Sequence, residues 1–219
     1  MKQTKGIACL AGLGGSLFLC IGTMKMEQTK SCISVYDGEY FDFLDPDNSV
    51  YTVNTIAHSL SNLCRYTGHV NRFYSVAEHS VLVSLLVPKS FALEGLFHDA
   101  SEAFLGDVSS PLKKLLPEYK TLEERVMSSI AAKFNLSPWR LNSLEIHQAD
   151  KRMYHAERQE IAPGKDVLWH TELRATRSVK PVGLSSYEAK QAFLNRYEEL
   201  TNGRNKQVFR ERSPQDQTA

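Results

Sequence analysis

The residues best suited to chemistry in this sequence lie together in residues 96–107, LFHDASEAFLGD. His98, Asp99, Glu102 and Asp107 occur within ten positions, among apolar residues that are typical of a protein core. Charged side chains are seldom buried in such surroundings unless they are paired or bound to an ion. The segment therefore predicts either a polar cluster that satisfies itself or a metal site.

Two further residues, His79 and Asp150, have side chains that could complete a metal site. Each lies in a predicted helix, although a lone histidine in a helix as apolar as that of His79 is more often a satisfied core residue. Adjacent residues on a helix point about 100° apart, so His98 and Asp99 can share an ion only where their helix crosses others. Imidazole and carboxylate ligands together suit Mn, Co, Zn, Fe or Mg.

Glu102 and Asp107 are the candidates for proton transfer or water activation. Glu102 follows His98 by four positions and Asp99 by three, so it shares their face of the predicted helix. Beside a metal-bound water, such a carboxylate could act as a general base or orient the nucleophile. The alternative is an exposed glutamate at a helix end. Asp107 follows Gly106, where a capping role and a catalytic role are equally compatible with the sequence.

Three segments in this order carry a family resemblance: EHS (78–80), FHDASEAFLGDVSSPLKK (97–114) and QAD (148–150). Together they resemble the H…HD…D signature of HD-domain metal-dependent phosphohydrolases. The most similar branch holds the small 5′-deoxynucleotidases and the compact phage-type deoxynucleoside triphosphate triphosphohydrolases. The resemblance extends over roughly residues 33 to 200.

The resemblance implies a divalent metal ion (Mn, Co, Zn or Mg) held by His79, His98, Asp99 and Asp150. It also implies how the neighbouring residues act. Glu102 would activate or position water, and Asp107 would lie beside the phosphate. Lys113 would contact the phosphate, while Arg65 and the aromatic Tyr66 would hold the nucleotide. Tyr66 stands where the family often has tryptophan, so we expect weaker or differently shaped base stacking.

Two histidines are further candidates for substrate binding. His147 lies three residues before Asp150, where related sequences often have a phosphate-binding lysine. A neutral imidazole binds phosphate less strongly than an ammonium group, so affinity would fall with rising pH. A purely structural histidine is an equal alternative. His69, which follows Gly68, could approach the phosphates from a loop.

The resemblance predicts a hydrolase of deoxynucleotides. Release of phosphate from deoxynucleoside monophosphates is the first choice, and release of triphosphate from deoxynucleoside triphosphates is the alternative. A second alternative is a catalytically silent module that senses nucleotides. The expected partners are a small-molecule nucleotide and further copies of the chain.

The elements that position these residues are predicted to be mostly helical. Asp37-Gly38, between two β-prone runs, predicts a hairpin over residues 33–43. The helical pattern predicts helices over 55–66, 76–87, 91–105, 118–134 and 138–161, and a last helix from the Ser185 capping box to Asn202-Gly203. Together with the resemblance, this predicts a mostly α fold. A single HD-domain helical bundle, which begins with the small β-hairpin, would extend over residues 31–203, and a polar flexible tail would follow over residues 204–219.

Residues 1–30 form an N-terminal extension with two interpretations. Two lysines precede an uncharged run over residues 7–22, which imitates a signal peptide but is short for a membrane span. No convincing A-x-A cleavage site follows, and Met24 and Met26 offer internal starts. We therefore expect a dispensable extension or a mistaken start, and the alternative is a membrane-targeting segment.

The bulk composition is that of an ordinary globular protein of 219 residues, with 42% hydrophobic and 23% charged residues. A net charge of +1 gives no global electrostatic argument for binding nucleic acid or a membrane surface. The four cysteines show no C-x-x-C pairing, and we expect reduced thiols in a cytoplasmic protein.

Overall fold

A computed structural model describes residues 31–162, Thr176 and residues 178–211, with side chains described as far as Asn202. Within this part of the chain the fold is mostly helical, and a small antiparallel hairpin precedes the helices. Both features confirm the prediction. The predictions for residues 1–30 lie outside the described residues, as do those for 212–219.

The hairpin joins β1 (Cys32–Ser34) to β2 (Tyr40–Asp42), with Ile33 opposite Phe41. Gly38 has a φ of +82°, a conformation that glycine adopts without strain and that the predicted Asp-Gly turn requires. Phe41 is fully buried and stacks on Phe104 with ring centroids 3.8 Å apart. The hairpin is therefore anchored to the helical core.

The helices have bounds that agree in part with the sequence patterns. In chain order they are α1 (Val53–Asn62), α2 (Val76–Leu86), α3 (Ala92–Phe97), α4 (Glu102–Leu105), α5 (Ser110–Lys113), α6 (Pro117–Lys133), α7 (Pro138–Leu141), α8 (Leu144–Glu160) and α9 (Ser186–Glu211). Short 3-10 turns span Pro46–Asn48, Arg65–Gly68 and Lys89–Phe91. The N-cap of α1 is Thr52, which forms a capping box with Thr55.

The predicted helix over 91–105 is interrupted. After Phe97 the backbone changes from α-helical to i→i+3 hydrogen bonding, with the Ala100 N–H donating to the Phe97 carbonyl at 2.9 Å. The Glu102 N–H likewise donates to the Asp99 carbonyl at 3.0 Å. Residues 98–101 therefore form a tight turn between α3 and α4.

Two other helix predictions were wrong in their bounds. The predicted helix over 138–161 is two helices, α7 and α8. Helix α8 has Ser143 as its N-cap, and the Ser143 side chain accepts a hydrogen bond from the Ile146 N–H. The last helix continues past Gly203 to Glu211, so the predicted tail is helical over residues 204–211. One glycine costs a helix only about 1 kcal/mol and need not end it.

Helix α2 is buried centrally, as its apolar sequence predicts. Its first turn, with Val76 and Ala77, joins a large core that includes Leu96, Phe97 and Phe193. Its last turns join a second cluster, whose buried members are Val83, Val87, Ala92, Ile146, Ala149, Met153 and Ala156. Both ends of α2 are thus fixed by packing.

Glu78 on α2 binds the segment that leads into α9. Its buried carboxylate accepts the backbone N–H groups of Val182 at 2.6 Å, Gly183 at 3.1 Å and Leu184 at 2.7 Å. Gly183 has a φ of +82°, and a Cβ there would lie 2.9 Å from Arg72 Cδ. Only glycine fits this approach without a shift.

Within the residues described, no helix is both long and apolar enough to cross a membrane.

Candidate metal centre

Three elements bring two imidazoles and a carboxylate to one point. His79 comes from α2, Asp150 from α8, and His98 from the turn that follows α3. The Nε2 atoms of His79 and His98 lie 3.3 Å apart, and His79 Nε2 lies 3.2 Å from Asp150 Oδ1. One ligand atom from each residue lies within 4.8 Å of the others, so the cluster could hold a metal ion.

Asp99 also faces this point. Its Oδ2 lies 3.2 Å from His98 Nε2 and 3.7 Å from His79 Nε2. Because His98 and Asp99 lie in a tight turn and not in a regular helix, adjacent side chains can approach the same place. Asp99 therefore lies beside both imidazoles, whereas the cluster in which every ligand atom lies within 4.8 Å of the others consists of His79, His98 and Asp150.

Hydrogen bonds on the far side of each imidazole set its orientation. The Nδ1–H of His79 donates to Glu157 Oε1 at 2.6 Å, and that of His98 donates to the Gly95 carbonyl at 2.9 Å. Each Nε2 then faces the shared point, where its lone pair can bind a cation in place of a proton. Two such lone pairs and two carboxylates form a donor set that suits a divalent cation.

The local charges also favour a cation. Burial and the charge of Arg65 disfavour a protonated His79, but the carboxylates of Glu157 and Asp150 outweigh them and raise the pKa of His79 to about 9. Burial alone would raise the pKa of Asp99, yet His98, His79 and Arg65 bring it well below its usual range. The carboxylates of Asp99 and Asp150 are therefore ionised, and their negative charge attracts a cation.

Glu157 is a site residue that the sequence analysis missed. It lies on α8 two turns after Asp150, and its side chain is fully buried. Besides His79, it accepts hydrogen bonds from Tyr74 and Tyr66. The signal that could have found it is its seven-residue spacing from Asp150, which puts both on one helical face.

Arg65 and Tyr66 form a wall beside the four ligands. Arg65 Nη1 lies 3.5 Å from Asp99 Oδ2, and its Nη2 donates to Glu157 Oε2 at 3.3 Å. Tyr66 and Thr67 have φ values of 59° and 54°, a left-handed conformation that is unusual for consecutive non-glycine residues. Such strain persists only where surrounding contacts hold the chain in place.

A cavity of about 480 Å³ opens beside this wall. Its lining includes the predicted residues Arg65, Tyr66, Asp99, Glu102, Asp107, Lys113 and Asp150. It also includes residues to which the sequence analysis gave no role, among them Thr67, Ser109, Ser110, Lys151, Tyr154 and His155. Two of the candidate metal ligands, Asp99 and Asp150, thus share one space with the candidate substrate-binding groups.

Glu102 is a buried carboxylate with one oxygen in an ion pair. Its Oε1 lies 3.1 Å from Lys113 Nζ, which also contacts Glu123 at 2.5 Å. Its Oε2 is buried and has no hydrogen-bond partner among the described residues. Burial and the charges of Asp99 and Asp107 raise the pKa of Glu102 well above its usual range. Burial likewise raises the pKa of Asp107.

His147 and His69 are not brought to the cavity. Both are exposed and neither belongs to its lining. The Nδ1–H of His147 donates to the Ser143 carbonyl at 2.8 Å, which turns the ring back along α8. The backbone N–H of His69 donates to the Tyr66 carbonyl at 3.0 Å, while its side chain faces solvent.

Comparisons with known proteins identify relatives. No family model matches the chain. It is 34% identical over 109 residues to "Uncharacterized protein RCAP_rcc00048" of Rhodobacter capsulatus, which covers 45% of this chain and 56% of that protein. It is 39% identical over 175 residues to "Uncharacterized protein YfdR" of Escherichia coli K12, which covers 78% of this chain and 96% of that protein. At this identity and coverage, the chain belongs to the family of YfdR.

Proposed function

We propose that this protein is an HD-domain phosphohydrolase that uses a divalent metal ion to release phosphate from deoxynucleoside monophosphates. The observation that carries the proposal is the convergence of His79, His98, Asp99 and Asp150 at one edge of a cavity that also contains Glu102 and cationic side chains. Each of these groups has a separate role in phosphate ester hydrolysis.

A divalent ion bound by the four ligands would supply a Lewis acid that polarises a phosphoryl oxygen and acidifies water. The protein's own base is Glu102. Its buried environment raises its pKa, which suits a carboxylate that must accept a proton near neutral pH. The unpartnered Oε2 leaves one oxygen available to orient water.

The cavity lining contains Arg65, Lys113 and Lys151, which differ in how much positive charge they can offer a phosphate. Arg65 and Lys113 are already paired with carboxylates, so their charge is partly neutralised. Lys151 follows Asp150 on α8 and also lines the cavity. A dianionic phosphate next to the metal centre would therefore be stabilised by Lys151 together with the Ser109 and Ser110 hydroxyls.

The nucleoside would lie against two tyrosine rings. Tyr66 and Tyr154 both line the cavity, with ring centroids 6.0 Å apart. A base can stack on such rings without specific hydrogen bonds, so they would tolerate different bases. Small-ligand pockets usually measure about 300 to 1,000 Å³, and this cavity lies within that range.

The test is a product assay with purified protein and Mn²⁺ or Co²⁺. Deoxynucleoside mono- and triphosphates are supplied separately, and orthophosphate is resolved from triphosphate by ion exchange. We expect orthophosphate from the monophosphates and no activity from an Asp99→Ala variant. Triphosphate as the product would replace the proposal by the triphosphohydrolase alternative. Nucleotide binding without any product would indicate a sensing module.

A further inference from the structure

The Glu157 carboxylate connects two parts of the site through its two oxygens. Oε1 accepts from His79 Nδ1–H at 2.6 Å and from the Tyr74 hydroxyl at 2.8 Å. Oε2 accepts from the Tyr66 hydroxyl at 2.6 Å and from Arg65 Nη2 at 3.3 Å. One oxygen thus faces a metal-ligand imidazole, while the other faces the cavity wall.

The two oxygens cannot move independently, because a carboxylate is a rigid planar group. Glu157 is fully buried, so no water can replace a donor that is lost. A rotation that favours the contacts of Tyr66 and Arg65 therefore also changes the direction in which Oε1 holds His79. The imidazole is in turn fixed by this single hydrogen bond on its Nδ1 side.

The cavity wall depends on the same carboxylate. Tyr66 has a left-handed φ of 59°, and its hydroxyl contact with Glu157 opposes relaxation of that turn. Arg65 adds a second connection, since Nη1 approaches Asp99 while Nη2 approaches Glu157. The wall and the metal ligands are therefore parts of one hydrogen-bonded unit.

We propose that Glu157 is a positioning residue that couples metal affinity to the state of the nucleotide-binding wall. The inference rests on the proposed metal-dependent function. A contact that pulls Tyr66 and Arg65 away from Oε2 would loosen the hold on His79 and lower the affinity for the metal ion. Metal binding would in turn order the wall formed by Arg65 and Tyr66. By thermodynamic linkage, the factor by which a bound nucleotide changes the metal affinity equals the factor by which the bound metal changes the nucleotide affinity.

The experiment measures Co²⁺ affinity by visible absorption, without nucleotide, so that catalysis is not needed. The decisive variant is Tyr66→Phe, which removes a hydroxyl that touches Glu157 but no metal ligand. We expect its Co²⁺ affinity to fall about three- to tenfold, because a hydrogen bond to a charged group is lost. Glu157→Gln should lose about 10- to 100-fold, as is typical for residues that orient metal ligands.

The matched control is Tyr51→Phe, which removes a tyrosine hydroxyl that contacts Ser129 at 3.3 Å, outside the cavity lining. Its Co²⁺ affinity should stay within twofold of the unmodified protein. Circular dichroism and thermal unfolding of each variant establish that it is folded. Because Tyr66 is half-buried and its replacement keeps the ring, this variant tests the coupling even if Glu157→Gln does not fold.

Several results would overturn the coupling. Unchanged Co²⁺ affinity in Tyr66→Phe would mean that Glu157 holds His79 without transmitting the state of the wall. Equal losses in Tyr66→Phe and Tyr51→Phe would show a general effect of removing a tyrosine hydroxyl. If the unmodified protein bound no Co²⁺, both proposals would fail. If it bound Co²⁺ with the expected variant pattern but hydrolysed no nucleotide, only the proposed function would fail.

Discussion

Two buried glutamates near the candidate metal centre differ in almost every contact. Glu157, beneath His79, accepts hydrogen bonds from four side chains. Although burial opposes it, the charges of Arg65 and His79 keep the pKa of Glu157 well below its usual range. Among the residues that the structure describes, Glu102 pairs with Lys113 alone, and burial together with Asp99 and Asp107 raises its pKa.

The difference teaches how one side-chain type can serve two purposes in the same site. Glu157 is a permanent anion whose lone pairs are committed to donors, so it suits positioning. Glu102 has a buried oxygen without a partner among the described residues and a weakened preference for the charged form, so it suits proton exchange. Environment, and not residue type, assigns the two roles.

The largest expected effect separates the two carboxylates by activity. Glu102→Gln keeps the shape but removes the base, so we expect kcat to fall about 10²- to 10⁴-fold. The thermal stability of the metal-free protein should stay the same or rise, because the surroundings of Glu102 disfavour its charge. A variant with normal kcat would show that the contrast has no catalytic meaning.

Stability should separate them in the opposite direction. Glu157→Ala leaves Arg65, Tyr66, Tyr74 and His79 without their shared acceptor, so it should lower the free energy of unfolding by about 3 to 5 kcal/mol. Urea denaturation in the presence of a chelator measures this without a contribution from bound metal. Glu102→Ala is the matched comparison and should lose less than half as much. Equal losses would remove the distinction.

The contrast extends to the cavity cations. Lys113 is paired with Glu102 and Glu123, whereas Lys151 lies in the same lining beside Asp150. Lys151→Met should raise KM about tenfold with little change in kcat, because it removes a charge-assisted contact with phosphate. Lys114→Met, at an exposed lysine outside the lining, is the control. The same KM for both variants would exclude Lys151 from phosphate binding.

The smallest expected effect concerns pH. Burial, Asp99 and Asp107 raise the pKa of Glu102, while Lys113 lowers it. Glu102 must be ionised to accept a proton, so activity is lost as pH falls through its pKa. Lys113→Met should therefore move the acidic limb of the kcat/KM profile to higher pH, by about one pH unit. A shift towards lower pH would contradict the assignment of that limb to Glu102.

Local features of the chain were predicted well where one residue type determines the backbone. Asp37-Gly38 predicted the hairpin turn, and Gly38 has the required positive φ. The apolar sequence of α2 predicted its central position. In both cases neighbouring residues carry the whole physical cause, so no distant contact has to be known.

The break after Phe97 had no such signal, since HDAS contains neither glycine nor proline. In the turn with i→i+3 hydrogen bonding, His98 and Asp99 both approach His79 on α2, a contact that the local sequence does not specify. Spacing alone placed both residues on a regular helix, from which their convergence was harder to explain.

The roles of Glu157 and His147 depended on orientation, which spacing does not specify. The seven-residue spacing places Glu157 on the helical face of Asp150, but its role depends on partners such as Tyr74 and His79, which lie 83 and 78 positions away. His147 shares a helix with Asp150 but turns back to the Ser143 carbonyl in the first turn. A face of a helix can be read from sequence, but not which side chains another element will meet there.

The three backbone N–H groups held by Glu78 make the C-terminal helix relevant to a site it does not enter. Glu78 is adjacent to His79, and the segment it binds leads directly into α9. A chain shortened before residue 182 would lack these three N–H donors. The buried Glu78 carboxylate would then lose their hydrogen bonds, one position away from His79. Such a truncation would therefore disturb the helix that carries His79 from a distance, besides removing α9 itself from the helix content.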